Sequence, residues 1–161
     1  MIMRLVPAIG ASIAIVGSSA VLSSVVTARA TDTAWYDCVE PGASPPRWVF
    51  TVVWTALYAL VGVVLSVLLK RGSVAAAGSL CASLALSVAW CAVYFGARMP
   101  AGALALLVAS AAASAVSLGL APGAWRVALA PYVAWLFFAL VLNAQSAHAS
   151  RARGCEALKE V

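Results

Sequence analysis

Charged residues cut this sequence into five uncharged runs, each long enough to cross a lipid bilayer. Leu5 to Ala28 lies between Arg4 and Arg29, Trp48 to Leu69 between Arg47 and Lys70, and Gly72 to Ala97 between Arg71 and Arg98. Met99 to Trp125 and Val127 to Ser150 complete the set, closed by Arg126 and Arg151. A hydrocarbon core about 30 Å thick takes roughly 20 residues of α-helix, and in lipid every backbone N–H and C=O must bond within its own helix. The expected fold is therefore all-α: an integral membrane bundle of five transmembrane helices, in one domain over residues 1–161. The spans are expected near 5–28, 47–69, 73–97, 100–121 and 125–148, with a lid-like loop over 29–46 and a short polar tail over 149–161. The runs show no period-two alternation, which argues against a β-barrel. With 65% hydrophobic and 9% charged residues, a water-soluble globule is excluded as well.

The net charge of +5 does not point to nucleic acid, because the basic residues flank the spans as singles and pairs and gather into no patch. One side of the membrane would hold Arg4, Lys70, Arg71 and Arg126, the other Arg29, Arg47, Arg98, Arg151, Arg153 and Lys159. The positive-inside count leans mildly towards a cytoplasmic C-terminus. The first run followed by Ala28-Arg29-Ala30 also has features of a secretory signal, but it exceeds the usual signal core of about 7 to 15 residues and is read as a span.

Chemistry is sparse. Cys38, Cys81, Cys91 and Cys155 form no CxxC pair, and the single histidine, His148, is far from them in sequence, so no metal site is expected and the thiols are read as unpaired. Without a second histidine or paired intramembrane carboxylates, no hydrolytic set assembles. Small residues recur every four positions in two spans: Ala101, Ala105, Ala109, Ala113, Ser117 and Ala121 in the fourth, and Ala75, Ser79, Ser83, Ser87 and Cys91 in the third. Such ladders let helix backbones approach closely. One is expected to pack within the chain and the other to support a homodimer.

Aromatic residues mark a different surface. Phe50, Trp54 and Tyr58 recur at i, i+4 and i+8, with Gly62 one turn on; Ser87, Trp90, Cys91 and Tyr94 share a face of the third span; Tyr132, Trp135, Phe138, Ala139, Leu142 and Asn143 share one of the fifth. Trp35, Tyr36, Trp48 and Trp125 lie at run ends, where aromatics commonly mark the membrane interface. Trp54 and Trp135 lie two turns or more inside their spans, where an indole N–H needs a partner, and Ser87 and Asn143 are at comparable depth. The residues either line an apolar cavity with a few polar groups or act as interhelical glue.

The loop before the second span, Trp35-Tyr36-Asp37-Cys38-Val39-Glu40-Pro41-Gly42-Ala43-Ser44-Pro45-Pro46-Arg47, has three prolines and a glycine within six residues. Helix is excluded there, and Pro45-Pro46 pre-sets the start of the span. Here the chain resembles the TspO/MBR family, the tryptophan-rich sensory proteins that include the translocator protein. The match runs through Trp35-Tyr36, Pro41, Pro45-Pro46, Phe50, Trp54-Thr55, Leu57-Tyr58 and Gly62, then Trp90, Phe95-Gly96, Arg98 and Trp125, and closes with Pro131-Tyr132, Trp135, Phe138-Ala139 and Leu142-Asn143.

The resemblance implies a five-helix bundle, often a homodimer, with a pocket closed by the first loop, where Pro41, Pro45, Pro46 and Arg47 form the lid. It implies binding of porphyrins such as protoporphyrin IX, of sterols, and of benzodiazepine- and isoquinoline-type ligands, with no required cofactor. Matching positions put Trp54, Ser87, Trp90, Trp135, Phe138, Ala139 and Asn143 at the pocket, with Trp35, Phe50 and Tyr58 beside it. Light-dependent porphyrin breakdown is attributed to some members, and Trp54 and Trp135 would then be redox-active stacking partners. Members occupy bacterial outer or cytoplasmic membranes or the mitochondrial outer membrane. The chain departs from the family at Glu40, where a lysine is usual, at Ala43, where a tryptophan is usual, and at Ser87 in place of asparagine. The first two remove charge attraction and an aromatic contact for a porphyrin, with Arg47 placed to compensate. No tyrosine follows Leu142-Asn143, so the C-terminal sterol motif is missing; Val88, Tyr94 and Arg98 fit only a loose sterol pattern. A ligand-binding receptor or translocator, a porphyrin-degrading enzyme and a membrane scaffold or stress-response protein are the three expected classes. The tail from Arg151 is expected to be solvated and frayed.

Overall fold

The computed structural model describes residues 5–160. Arg4 and the side chain of Lys159, both used above in counting charge, lie outside the described residues. Five long helices cross the bundle: α1 (Leu5–Ala30), α3 (Arg47–Arg71), α4 (Val74–Cys91), α5 (Pro100–Leu120) and α6 (Ala124–Ala152), with a short α2 (Ala34–Val39) in the first loop. All five are long and apolar enough to cross a membrane.

Local chemistry sets the boundaries. Pro46 caps α3 in extended conformation, and Pro100 opens α5 at a position where its missing N–H costs nothing. Gly72, at φ 69°, closes α3 in the left-handed region, so α4 follows after a minimal turn, and Lys70 and Arg71 sit at the negative end of the helix. At its lid end α4 widens into a π-helical turn over Ala92–Gly96 and leaves through Arg98, whose φ of 53° is left-handed.

The helices form a ring in the order α3, α1, α4, α5, α6 and back to α3. The α4–α5 and α5–α6 seams are extensive, and the α3–α6 and α3–α4 seams are thin. The half of the bundle away from the loop is solid. Val61, Val64, Leu65 and Leu68 of α3 are fully buried there against Leu80, Leu84, Leu107 and Leu129. Hydroxyls bind α4 to α5 and α6: Ser110 Oγ is 3.0 Å from Ser83 Oγ and 2.9 Å from Ser87 Oγ, Tyr132 Oη is 3.1 Å from Ser83 Oγ, and Ser117 donates to the Ala76 carbonyl. Small residues permit this approach and the hydroxyls consolidate it.

The small-residue ladder of α5 is only partly the face that packs within the chain. Ala101, Ala105 and Ala109 face outward, and the buried stripe is Ala103, Leu107, Ser110, Ser114, Ser117 and Ala121. A helix turns 3.6 residues per revolution, so a strict four-residue ladder drifts by about 40° a step and leaves any one face, while alternating steps of four and three hold it. On α4 the same rule buries Ala76, Leu80, Ser83 and Ser87 but leaves Ala75 exposed.

The cysteines and the tail are corrected. Cys38 of α2 and Cys155 form a disulfide, with Cα atoms 5.9 Å apart; Cys81 and Cys91 are the free thiols. Gly154, at φ 65°, turns the chain back into a 3₁₀-helix (Cys155–Glu160), so the tail packs under the lid instead of fraying. Arg153 donates to the Cys38 carbonyl at 2.9 Å and Arg98 to that of Leu158 at 3.2 Å.

Candidate functional site

At the lid end the thin α3–α6 seam opens into a cavity of about 500 Å³. Four helices and the lid enclose it, and α5 contributes nothing to its wall. From α3 come Phe50, Trp54 and Tyr58, the stripe read from the sequence; from α4, Ser87 and Trp90; from α6, Trp135, Ala139 and Asn143. Pro41 and Arg47 line it from the lid.

The aromatic wall is built edge to face. The rings of Trp54 and Trp135 are 6.5 Å apart at 88°, and Phe50 meets Trp135 at 5.9 Å and 66°. Tyr58 lies 5.5 Å from Trp54. Such T-shaped contacts suit the ring quadrupoles. The polar side is a fixed chain of bonds: Trp90 Nε1 donates to Asn143 Oδ1 at 2.8 Å, Asn143 Nδ2 donates to the Pro100 carbonyl at 2.8 Å, and Tyr94 Oη donates to Ser146 Oγ at 2.7 Å.

Asn143 and Ser87 therefore do not serve Trp54 and Trp135, as depth alone suggested: Asn143 is held by Trp90, and Ser87 bonds Ser110. Trp135 Nε1 is buried with no hydrogen-bond partner, and so is Ser23 Oγ.

Four residues named from the sequence do not line the cavity. Trp35 is no interface marker: it is fully buried under the lid with its ring 6.0 Å from that of Tyr94, supporting α2 from below. Phe138 packs on Trp135 at 5.1 Å from the outer side and is partly exposed. Pro45 and Pro46 only shape the entry to α3. Tyr36, also expected at the interface, lines the cavity, whereas Trp48 is exposed on the outside. Tyr94 is buried inside, so Val88, Tyr94 and Arg98 present no common outer face.

The sequence reading missed the α1 wall, where Ser23, Thr27 and Thr31 line the cavity. Hydroxyls every four residues in an otherwise apolar span were the available signal. Cys91 and Ser146 also line it.

The mouth is dominated by Arg47. Its Nη1 is 3.2 Å from Asp32 Oδ1, and its Nη2 is 2.7 Å from Asp37 Oδ1 and 3.7 Å from Glu40 Oε2. Its guanidinium lies 5.2 Å from the centre of the Tyr36 ring. Arg47 is thus paired with the loop's own carboxylates. Burial, then Glu40 and Asp37, push the Tyr36 phenol up to about 12 against the opposite pull of Arg47, so it stays protonated at neutral pH. Among the described residues no His, Cys, Asp or Glu cluster could hold a metal ion. What the arrangement offers chemically is ring stacking around a few fixed polar groups.

A profile of the TspO/MBR family matches residues 9–148. The chain is 37% identical over 120 residues to the translocator protein of Homo sapiens, covering 68% of this chain and 70% of the relative. It is 31% identical over 126 residues to tryptophan-rich protein TspO of Archaeoglobus fulgidus, covering 74% and 82%. A shorter match, 40% over 76 residues, joins it to the tryptophan-rich sensory protein of Cereibacter sphaeroides, covering 46% and 48%. Five apolar spans and a match over most of the chain carry one conclusion: this integral membrane protein belongs to the TspO/MBR family.

Proposed function

We propose that the protein is a membrane receptor or translocator that takes a flat, apolar, aromatic molecule into the cavity beneath its lid, with porphyrin-like, sterol and benzodiazepine-type molecules as the ligand classes. One observation carries the reading: indoles from two separate helices, Trp54 and Trp135, converge on a space of about 500 Å³ in whose wall Arg47 is the only charged residue among those described. Ligand sites are commonly about 300 to 1,000 Å³, apolar, and fitted with a few orienting polar groups. Trp54 and Trp135 supply stacking area, Trp90 and Asn143 a polar edge, and α2 with Pro41 the cover.

The test is tryptophan fluorescence of the full chain in nanodiscs, titrated with protoporphyrin IX and with its dimethyl ester. Saturable quenching by at least one of them at micromolar concentration, weakened in Trp54→Phe and Trp135→Phe, is expected. Absence of saturable quenching by both would contradict the reading.

A further inference from the structure

We infer that the cavity favours planar aromatic ligands that carry no carboxylate. The inference rests on the binding reading above and adds the charge class of the ligand. Among the described residues Arg47 is the only charged one in the wall, and a ligand carboxylate would need it as its partner. That partner already faces three carboxylates of its own chain. Asp37 holds one end of the guanidinium at 2.7 Å, Asp32 the other at 3.2 Å, and Glu40 stands 3.7 Å away. Its flat face is covered by Tyr36. One cation among three carboxylates leaves the mouth with a net charge of about −2.

Among the described residues no other cation lines the wall. Arg153 is turned to the Cys38 carbonyl and Arg98 to the Leu158 carbonyl, and neither they nor Arg29 line the cavity. A dianion such as a free porphyrin diacid would therefore bring two carboxylates towards the three at the mouth and share Arg47 with Asp37 and Asp32. An ester, amide or ring nitrogen meets no such repulsion, and the neutral groups of the wall, Tyr36, Ser44, Trp90 and Asn143, are suited to it. The fold builds this bias deliberately: Pro45-Pro46 fixes where α3 starts, and the Thr33 cap sets α2 so that Asp37 meets Arg47.

The experiment compares protoporphyrin IX with its dimethyl ester on the full chain in nanodiscs of zwitterionic lipid, for the native protein and for Asp37→Asn/Glu40→Gln. In the native protein the ester binds more tightly than the diacid. In the double variant the diacid gains about fivefold, the scale of an exposed charge pair, while the ester is unchanged, which also shows that the variant is folded. Raising the salt concentration strengthens diacid binding to the native protein and leaves the ester as it was. A diacid that binds as tightly as the ester, or a diacid-to-ester ratio unmoved by the double substitution, overturns the inference while the binding reading stands. If neither porphyrin quenches saturably, both fall.

Discussion

The two halves of α3 solve opposite problems on one helix. Towards the loop, Phe50, Trp54 and Tyr58 are half-buried and stand around a space; away from it, Val61, Val64, Leu65 and Leu68 are buried in full against neighbouring helices. The difference lies in the partners as much as in the residues. Small serines and alanines on α4 and α5 let the leucine half close to interior density. Rigid rings that meet edge to face keep their separation in the other half, and α5, packed along α4 and α6, lines none of the cavity. A helix seam is held open, then, by aromatic groups that cannot mesh and by a lid that spans the gap.

That contrast can be broken most forcefully in the closed half. Leu65→Ala should cost about 2 kcal/mol or more, as a deleted side chain in a close-packed core does, read as a lower unfolding midpoint in detergent, with ligand affinity preserved in the folded fraction. In the open half the balance should invert: Trp135→Phe should weaken ligand binding about tenfold, or 1.4 kcal/mol, through lost stacking area, while the unfolding midpoint moves little. Ser110→Ala removes the hydroxyl shared by Ser83 and Ser87 and should cost about 1 kcal/mol of stability, in the range of intramembrane hydrogen bonds. Cys38→Ser is read in kinetics: with the lid no longer tied to the tail, ligand dissociation measured by stopped-flow quenching should quicken severalfold. A Leu65→Ala variant that lost ligand affinity as much as stability would show that the two halves are not separable.

The fold class was legible because charge bracketing and bilayer thickness leave a chain of this composition little choice. The α3 stripe was legible for a related reason: three aromatic residues at fourfold spacing stay near one face over only two turns. The same spacing carried over five steps does not follow the buried face of α5, since the drift accumulates. Asn143 and Trp90 were both named, but their bond joins residues 53 apart in the chain, and depth along separate helices does not tell which neighbour each faces. The Cys38–Cys155 disulfide, 117 residues apart, depends on a tail that turns at Gly154, a local event with weak sequence signal. Arg47 illustrates a subtler gap: its proximity to the mouth was readable, but its engagement by Asp32 and Asp37 follows from how α2 is oriented.

Thiol chemistry at Cys91 tests the open half most directly. Cys91 lines the cavity, and Cys81 lies in the closed half of the same helix. With Cys81→Ala in place and the native disulfide intact, a small hydrophilic methanethiosulfonate should modify Cys91 from the lid side, and saturating porphyrin dimethyl ester should suppress that reaction. A Cys91 that stays inert in the folded protein, or that reacts equally with and without the ester, would contradict a ligand-accessible space between α3 and α6.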